Sequence, residues 1–191
     1  NRQATLDELT GIGNRRIFYG RAEAELARCR RRNTPLSVLM VDLDRFKSIN
    51  DSLGHAVGDE TLRRFAALVG PHLREYDFFA RLGGEEFAVL LPDTAEETAL
   101  AIGERLRELT EAERLPAPGF PVPTTVSIGA AQLREDERSI DQLMHRADQA
   151  LYAAKSSGRN RVVAASWLEG TTAILPAAGH PAAAAAQTGT P

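Results

Sequence analysis

The chain lacks the features that mark disulfide-rich and membrane-spanning proteins. Its 191 residues include a single cysteine, Cys29, which excludes an internal disulfide framework and is typical of a reducing compartment. No apolar run is long enough to cross a bilayer, and no signal-peptide pattern is present. We therefore expect a cytoplasmic domain, and because residue 1 is not methionine we expect it to be a fragment of a longer protein.

The chain also lacks an excess of charge of either sign. Its 23 Lys and Arg residues are interspersed with 26 Asp and Glu, for a net charge of -3. This balance disfavours a nucleic-acid-binding face. The one arginine run, within residues 28–32, falls at the end of a predicted helix, where a solvated helix terminus is a simpler explanation than a phosphate groove.

Strand-like and helix-like patterns alternate along most of the chain, which predicts an α/β domain with a mixed central β-sheet flanked by helices. The nearly continuous apolar run 36–43 predicts a central strand buried on both faces. Apolar runs on either side of Gly83 and Gly84 predict a β-hairpin. Three further patterns predict helix starts: Asn14 as an N-cap, and capping boxes at 94–97 and 139–142. Residues 52–55 are predicted to form a polar loop.

The same patterns suggest where the domain begins and ends. Residues 1–6 are predicted to be the end of a linker, and residues 7–165 to form one domain. Residues 166–191 are rich in Ala, Gly, Pro and Thr and have almost no charge. A segment of this composition cannot bury a core, so it is predicted to be a disordered tail.

Acidic residues stand at the end of the central strand and at the hairpin. A carboxylate at Asp42, where the buried strand ends, needs a cation, hydrogen-bond donors or water. Glu85 and Glu86 stand beside two glycines, where the backbone has no side-chain cover and a bulky anionic ligand with its cations can approach. The alternatives are two solvated glutamates and, for Asp42, a helix N-cap, although Asp44 is the better candidate for that cap.

Four motifs then identify a resemblance that runs from about Asp7 to Val163. They are LTGIGNRR near the start, DLDRFKSINDSLGHAVGD at the end of the first long strand, GGEEF at the hairpin and AKSSGRN near the end. Each motif alone is a weak signal, but four in this order and spacing are specific. The chain resembles the GGDEF-domain diguanylate cyclases, in the variant with Glu at the third signature position. The resemblance implies a fold related to class III nucleotide cyclases and polymerase palm domains.

The resemblance also implies a reaction, in which two GTP molecules are condensed into cyclic di-GMP with release of two pyrophosphates. Two Mg²⁺ ions per site, or Mn²⁺ in their place, would assist the attack of a 3′-hydroxyl on an α-phosphorus. By the family's pattern, Asp42, the Leu43 carbonyl and Glu85 are metal ligands. Glu85, with Glu86, would assist deprotonation of the hydroxyl.

Substrate contacts follow from the same motifs. The expected phosphate-binding residues are Phe46 and Lys47, at a helix start, and Lys155 and Arg159, for which the alternative is ordinary cationic residues at a helix C-terminus. The expected guanine readers are Asn50 and Asp59, with His55 nearby, because a carboxylate can accept from the adjacent N–H donors of guanine. Their alternatives are a turn residue, a first-turn acid and a structural histidine. Gly83 and Gly84 would let the substrate approach the backbone.

A second expected site is inhibitory. Arg74 and Asp77 have the Arg-x-x-Asp spacing of the family's product-binding site, and Arg105 is expected to contribute; a surface ion pair is the alternative. Gly70 and Pro71 are expected to break or kink the preceding helix.

The resemblance also implies partners for the domain and an alternative function. The expected partners are GTP, the cyclic di-GMP product, a second copy of the domain, and an upstream sensory or dimerisation domain of a larger, membrane-bound or soluble protein. No nucleic acid is expected. The alternative function is a catalytically silent domain of the same fold that binds GTP or cyclic di-GMP as a regulatory module; such domains lose acidic or glycine residues that are present here.

Overall fold

The strands form one mixed sheet. A computed structural model describes residues 5–113, 115 and 124–169, and within them the sheet has the order β1-β3-β4-β2-β5-β6. The pairs β1–β3 and β5–β6 are parallel, and the other three pairs are antiparallel. The predicted α/β class with a mixed sheet is confirmed. The strands are β1 (Gly13–Asn14), β2 (Leu36–Leu43), β3 (Phe78–Gly83), β4 (Glu86–Pro92), β5 (Val126–Gln132) and β6 (Val162–Ala164).

Helices cover both faces of this sheet. They are α1 (Arg15–Arg32), α2 (Phe46–Leu53), α3 (His55–Val69), α4 (Glu96–Glu113), α5 (Ile140–Ser156) and α6 (Ala165–Glu169). One core lies between the sheet and α2, α3 and α4, and the other lies between the sheet and α1, α5 and α6. A 3₁₀ turn at Gly70–His72 follows α3, as expected for a helix that meets Gly-Pro.

Strand β2 is the centre of the sheet, as its apolar sequence predicts. All eight of its residues are buried, and it pairs with β4 on one side and with β5 on the other. Leu39, Val41 and Leu43 face the core under α2, α3 and α4. Met40 faces the opposite core. Because side chains alternate along a strand, Asp42 points to the same face as Met40, toward α1 and α5.

Helices begin at all three predicted places, and two of the three predicted caps are confirmed. The Asn14 side chain accepts from the Ile17 amide at 3.1 Å, and Ser139 forms a capping box with Gln142. The capping box at 94–97 is wrong. The Thr94 hydroxyl donates to the Pro92 carbonyl at 2.8 Å, and a long-range contact caps α4 instead, because the Glu96 amide donates to a side-chain oxygen of Gln132 at 2.8 Å.

The predicted polar loop at 52–55 is also wrong. Helix α2 continues to Leu53 and α3 begins at His55, so only Gly54 separates them. Gly54 has a φ of +85°, which glycine reaches without the steric cost of a Cβ atom. The two helices can therefore turn sharply within one residue, which brings their facing side chains together.

The folded region extends past both predicted boundaries. At the C-terminal end, α6 runs to Glu169, which forms ion pairs with Arg134 and with Arg146, the latter at 3.6 Å. At the N-terminal end, the Thr5 carbonyl accepts from the Asn14 amide at 3.2 Å. The predicted tail from residue 170 onward and linker residues 1–4 lie outside the described residues. No helix in the described part of the chain is long and apolar enough to cross a membrane.

Candidate active site

The acidic residues of the two central motifs meet at the edge of the sheet that is formed by the end of β2 and the start of β4. Asp42 is the partner of Glu86 in the β2–β4 register, and the Leu43 amide donates to the Glu85 carbonyl at 3.3 Å. The expected metal ligands and the expected catalytic residues are therefore neighbours, although Asp42 and Glu85 are 43 residues apart in sequence. Asp42 lies within β2 and caps no helix, which removes the alternative reading of this residue.

Asp42 is a buried carboxylate with a cationic partner. Its residue is 4% exposed, and the ammonium of Lys155 lies 2.7 Å from its Oδ2 atom. Burial raises the pKa of Asp42 to about 6; Lys155 opposes this shift, and the negative charges of Glu85 and Glu86 add to it. A carboxylate at this edge is therefore strongly stabilised by positive charge. The side chain of Lys155 is placed next to the expected metal ligand.

The hairpin that carries Glu85 and Glu86 depends on its glycines. Gly83 and Gly84 have φ values of +151° and +50°, and an added Cβ at either position would meet open space. The β3–β4 register shifts between Arg81 and Gly83. Glu85 is partly exposed and Glu86 is exposed, so both carboxylates stand at an open, uncovered edge that a ligand can reach.

The N-terminal motif is tied to this hairpin, which the sequence patterns did not indicate. The Arg81 guanidinium donates through Nε to the Gly84 carbonyl at 2.9 Å and through Nη1 to Asp7 at 3.2 Å. Asp7 in turn accepts from the Thr10 amide at 2.9 Å and from its hydroxyl at 2.7 Å. Burial raises the pKa of Asp7, but these hydrogen bonds from Thr10 and Arg81 outweigh it and leave that pKa lowered.

Asp44 has a different role from the predicted helix cap. The N-cap of α2 is Arg45, which has a φ of +58° and makes no side-chain cap. The Asp44 carboxylate accepts from the hydroxyls of Thr125 and Ser127, both at 2.7 Å, and from the Asn160 amide at 3.0 Å. Asp44 therefore joins the end of β2 to the start of β5 and to the loop after α5.

The expected guanine-binding residues lie on α2 and α3. Gly58 is packed against α2 so closely that an added Cβ would lie 1.9 Å from Asn50 Oδ1. Asn50 is thus held next to the residue that precedes Asp59, and both side chains are partly exposed. His55 is exposed at the start of α3, and among the described residues no hydrogen bond links it to Asn50 or Asp59.

The expected phosphate contacts lie at two helix ends. Phe46 and Lys47 begin α2, but the Phe46 side chain is buried in the core, so only its backbone can face a ligand. The Lys47 side chain is exposed. Lys155 is in the last turn of α5, and Arg159 is exposed in the loop that follows. Lys155 is next to the expected metal ligand through its contact with Asp42.

The Arg-x-x-Asp segment forms a closed turn before β3. The Arg74 amide donates to Asp77 Oδ2 at 2.9 Å, and the Asp77 amide donates to the Arg74 carbonyl at 3.1 Å. Burial raises the pKa of Asp77, and the charges of Arg74 and Arg105 oppose that rise. Arg105 donates to the His72 carbonyl at 2.7 Å. The two arginines therefore act on the Asp77 carboxylate through their charge, while among the described residues neither guanidinium forms an ion pair with it.

Comparisons with known proteins agree with this geometry. The family model for the diguanylate cyclase GGDEF domain matches residues 4–161. The chain is 40% identical over 159 residues to the probable diguanylate cyclase DgcT of Escherichia coli, covering 82% of this chain and 35% of that protein. It is 41% identical over 162 residues to the response regulator PleD of Caulobacter vibrioides, covering 84% of this chain and 36% of that protein.

A solved structure matches at the level of the fold. The GGDEF domain of DgcB from Caulobacter crescentus, in complex with c-di-GMP, superimposes with a TM-score of 0.82 at 36% identity, covering 87% of this chain and 98% of that one. The structural match and the family match both identify the fold as that of a GGDEF domain. The chain belongs to the GGDEF diguanylate cyclase domain family, and it spans about a third of the length of the curated relatives it matches.

Proposed function

We propose that this domain condenses two GTP molecules into cyclic di-GMP with release of two pyrophosphates. The observation that carries the proposal is the meeting of Asp42, Leu43, Glu85 and Glu86 at one sheet edge, with Lys155 2.7 Å from Asp42. In each half-reaction, the 3′-oxygen of one nucleotide forms a bond to the α-phosphorus of the other. The bond between the α-phosphorus and the bridging oxygen breaks, and pyrophosphate leaves.

The donor set at this edge fits a hard divalent cation. The Asp42 and Glu85 carboxylates and the Leu43 carbonyl are all oxygen donors, which Mg²⁺ and Mn²⁺ prefer. Within the part of the chain that the structure describes, no group of three or more His, Cys, Asp or Glu residues could hold a metal. This suits Mg²⁺, which commonly takes one or two carboxylates together with substrate phosphates. When bound, two such ions would activate the attacking oxygen and stabilise the leaving one.

The protein side chains would bind and orient the substrate. Glu85, with Glu86, would accept the proton of the 3′-hydroxyl. Lys155 and Arg159 would hold the triphosphate, and the first backbone amides of α2, at Phe46 and Lys47, would add neutral donors. Asn50 and Asp59, with His55 at the start of the helix that carries Asp59, would read guanine. Gly83 and Gly84 would let the nucleotide approach the hairpin backbone.

The proposal is tested by product analysis of the purified chain with GTP and Mg²⁺. We expect cyclic di-GMP and two equivalents of pyrophosphate per product, and no product from ATP. Chelation with EDTA should stop the reaction, and added Mg²⁺ should restore it. Failure to form cyclic di-GMP at any protein concentration, with GTP still bound, would instead support the silent regulatory module.

We further propose that Arg74, Asp77 and Arg105 bind the product. Asp77 Oδ1 accepts no hydrogen bond from the described residues, but it is buried, so this proposal requires the turn to open when guanine N–H donors bind. The DgcB relative was solved in complex with c-di-GMP. A second site of this kind would couple product binding to catalysis without contact with the catalytic carboxylates.

The product-site proposal predicts a separation of activity from inhibition. Arg74→Ala should leave the initial rate nearly unchanged but raise the inhibitory concentration of cyclic di-GMP at least tenfold, because a charged hydrogen bond contributes about 1.5–3 kcal/mol. Arg63→Ala, which removes an exposed arginine from α3, is the matched control. Identical inhibition curves for Arg74→Ala and the parent would exclude Arg74 from the product site.

A further inference from the structure

The loop between α5 and β6 has an unusual backbone. Gly158, Arg159 and Asn160 follow one another with φ values of +122°, +66° and +45°. Residues with a Cβ visit the left-handed region singly rather than in runs, because the Cβ atom crowds the backbone. Two such residues after a glycine persist only where the surroundings hold them there. The loop carries Arg159, so the contacts that hold it determine where that side chain begins.

Asn160 is held from two directions. Its backbone amide donates to Asp44 Oδ2 at 3.0 Å. Its side-chain Oδ1 accepts from Arg107 at 2.9 Å, and its Nδ2 donates to Glu111 at 2.9 Å. Arg107 and Glu111 are both on α4 and pair with each other at 2.7 Å. One residue therefore fixes the loop to the end of β2 and to α4 at the same time.

Asp44 is a rigid anchor for this loop. It is 6% exposed, and the Ser127 and Thr125 hydroxyls donate to its two carboxylate oxygens. It directly follows the last residue of β2 and is two residues from Asp42, so a loop fixed to Asp44 has a fixed place relative to the proposed metal-binding edge. The α5 end is also fixed to that edge, through the contact of Lys155 with Asp42.

We infer that Asn160, anchored by Asp44 and bridged to α4, is a positioning residue for the triphosphate. It holds the left-handed loop so that the Arg159 guanidinium starts from a fixed backbone position and meets the outer phosphates. Asn160 itself touches no substrate. The inference rests on the proposed function, because it requires Arg159 to bind the triphosphate.

The test separates phosphate binding from general damage. In Asn160→Gly the glycine keeps the left-handed backbone but loses both bridges to α4. The binding of two ligands to the 191-residue chain is measured by calorimetry in the presence of Mg²⁺. The first is 3′-deoxy-GTP, which cannot cyclise, and the second is GMP, which lacks the outer phosphates. We expect Asn160→Gly to lower the affinity for 3′-deoxy-GTP about tenfold and to change the affinity for GMP by less than twofold. Glu108→Gln, an exposed residue of α4, is the control and should change neither.

A double-mutant cycle identifies the residue through which Asn160 acts. Arg159→Ala alone should lower the affinity for 3′-deoxy-GTP, and in that background Asn160→Gly should have no further effect on this affinity. Should Asn160→Gly unfold the chain, Glu111→Ala breaks one bridge at an exposed position. Glu111→Ala should lower the affinity for 3′-deoxy-GTP about threefold and leave the affinity for GMP nearly unchanged.

The outcomes are distinct. Equal weakening of 3′-deoxy-GTP and GMP, or no weakening of either, in a chain whose Arg159→Ala variant does lose affinity would overturn the positioning role and leave the proposed function intact. An Arg159→Ala variant that binds 3′-deoxy-GTP as tightly as the parent would overturn this inference together with the phosphate-binding role of Arg159.

Discussion

Asp42 illustrates how burial and function conflict at a single residue. Burial raises its pKa to about 6 even with Lys155 beside it, so the ionised carboxylate at the end of β2 destabilises the native state. A carboxyl group whose pKa is raised in the native state destabilises that state least when it is protonated. Folding therefore loses stability as the pH rises from about 4 to 6, where the native state binds more protons than the unfolded chain. Removing this charge should accordingly damage catalysis more than folding.

The first prediction follows from that conflict. Asp42→Asn, and separately Glu85→Gln, should lower the rate of cyclic di-GMP formation by at least a hundredfold, because each removes a metal-binding carboxylate. The melting temperature of Asp42→Asn should not fall, because a neutral amide is easier to bury. Asp136→Asn, at an exposed loop position, is the control. A rate within tenfold of the parent, about 1.4 kcal/mol in barrier, would contradict the metal assignment.

The second prediction concerns Asp7, whose pKa is lowered. A lowered native pKa means that the stabilisation is present above the ordinary pKa of the group and is lost as the pH falls through the native value. Because solvent reaches this group, Asp7→Asn should cost only about 1 kcal/mol of unfolding free energy at pH 7. The difference should be smaller at pH 3, which is below the ordinary pKa of 3.8 for this group. Urea unfolding at both pH values would measure it, with Glu8→Gln as the exposed control, and a difference that does not depend on pH would contradict the assignment.

At the scale of elements, the packing of α2 on α3 determines the place of Asn50. Gly54 permits the one-residue turn between the helices, and Gly58 permits their close approach. An added methyl group at position 58 would meet Asn50 Oδ1 at 1.9 Å and Phe46 Cζ at 3.2 Å. The amide is the movable partner, because Phe46 is buried in the core. The helix pair therefore sets the direction from which Asn50 approaches a ligand.

The third prediction tests this arrangement. Gly58→Ala should lower kcat/KM for GTP about tenfold through displacement of Asn50, and should have no further effect in an Asn50→Ala background. Stability should change little, because the gain in helix propensity, about 1 kcal/mol, offsets the local strain. Gly20→Ala is the matched control: Gly20 is also helical, and an added Cβ there meets nothing within 4 Å. Additive effects of Gly58→Ala and Asn50→Ala would refute the model.

At the scale of the whole molecule, one domain has one proposed nucleotide site, whereas the proposed product is symmetric and joins two nucleotides. Two domains must therefore face each other with their sheet edges together, which is a two-fold arrangement. The open edge at Glu85 and Glu86 is suited to this, because both residues are solvent-accessible. A dimer formed only through this edge would be weak.

The fourth prediction is that specific activity rises with protein concentration. Below the dimer dissociation constant, the rate per molecule should increase nearly in proportion to concentration, and it should level off above that constant. Sedimentation measurements over the same range should show the change from monomer to dimer. A constant rate per molecule across a hundredfold dilution would mean that the domain does not act as a dissociating pair.

The amino-acid sequence alone determined the elements whose signals are local. The buried strand β2, the Gly83–Gly84 hairpin and the caps at Asn14 and Ser139 were predictable, because hydrophobic periodicity, glycine and capping residues act within about ten residues of each other. The family was also predictable, since each of its four motifs is a continuous stretch of the sequence. The roles of the individual site residues stay predictions that the proposed experiments test.

Only the tertiary structure decided the contacts between distant parts of the chain. Asp44 was predicted to be a helix cap, but it binds the amide of Asn160, 116 positions away. Arg81 binds Asp7, 74 positions away, and α4 is capped by Gln132 rather than by Thr94. A carboxylate or a guanidinium can accept or donate to many partners, so its residue type does not specify which one it meets. The packing of the strands and helices makes that choice, because it determines which polar groups are buried together.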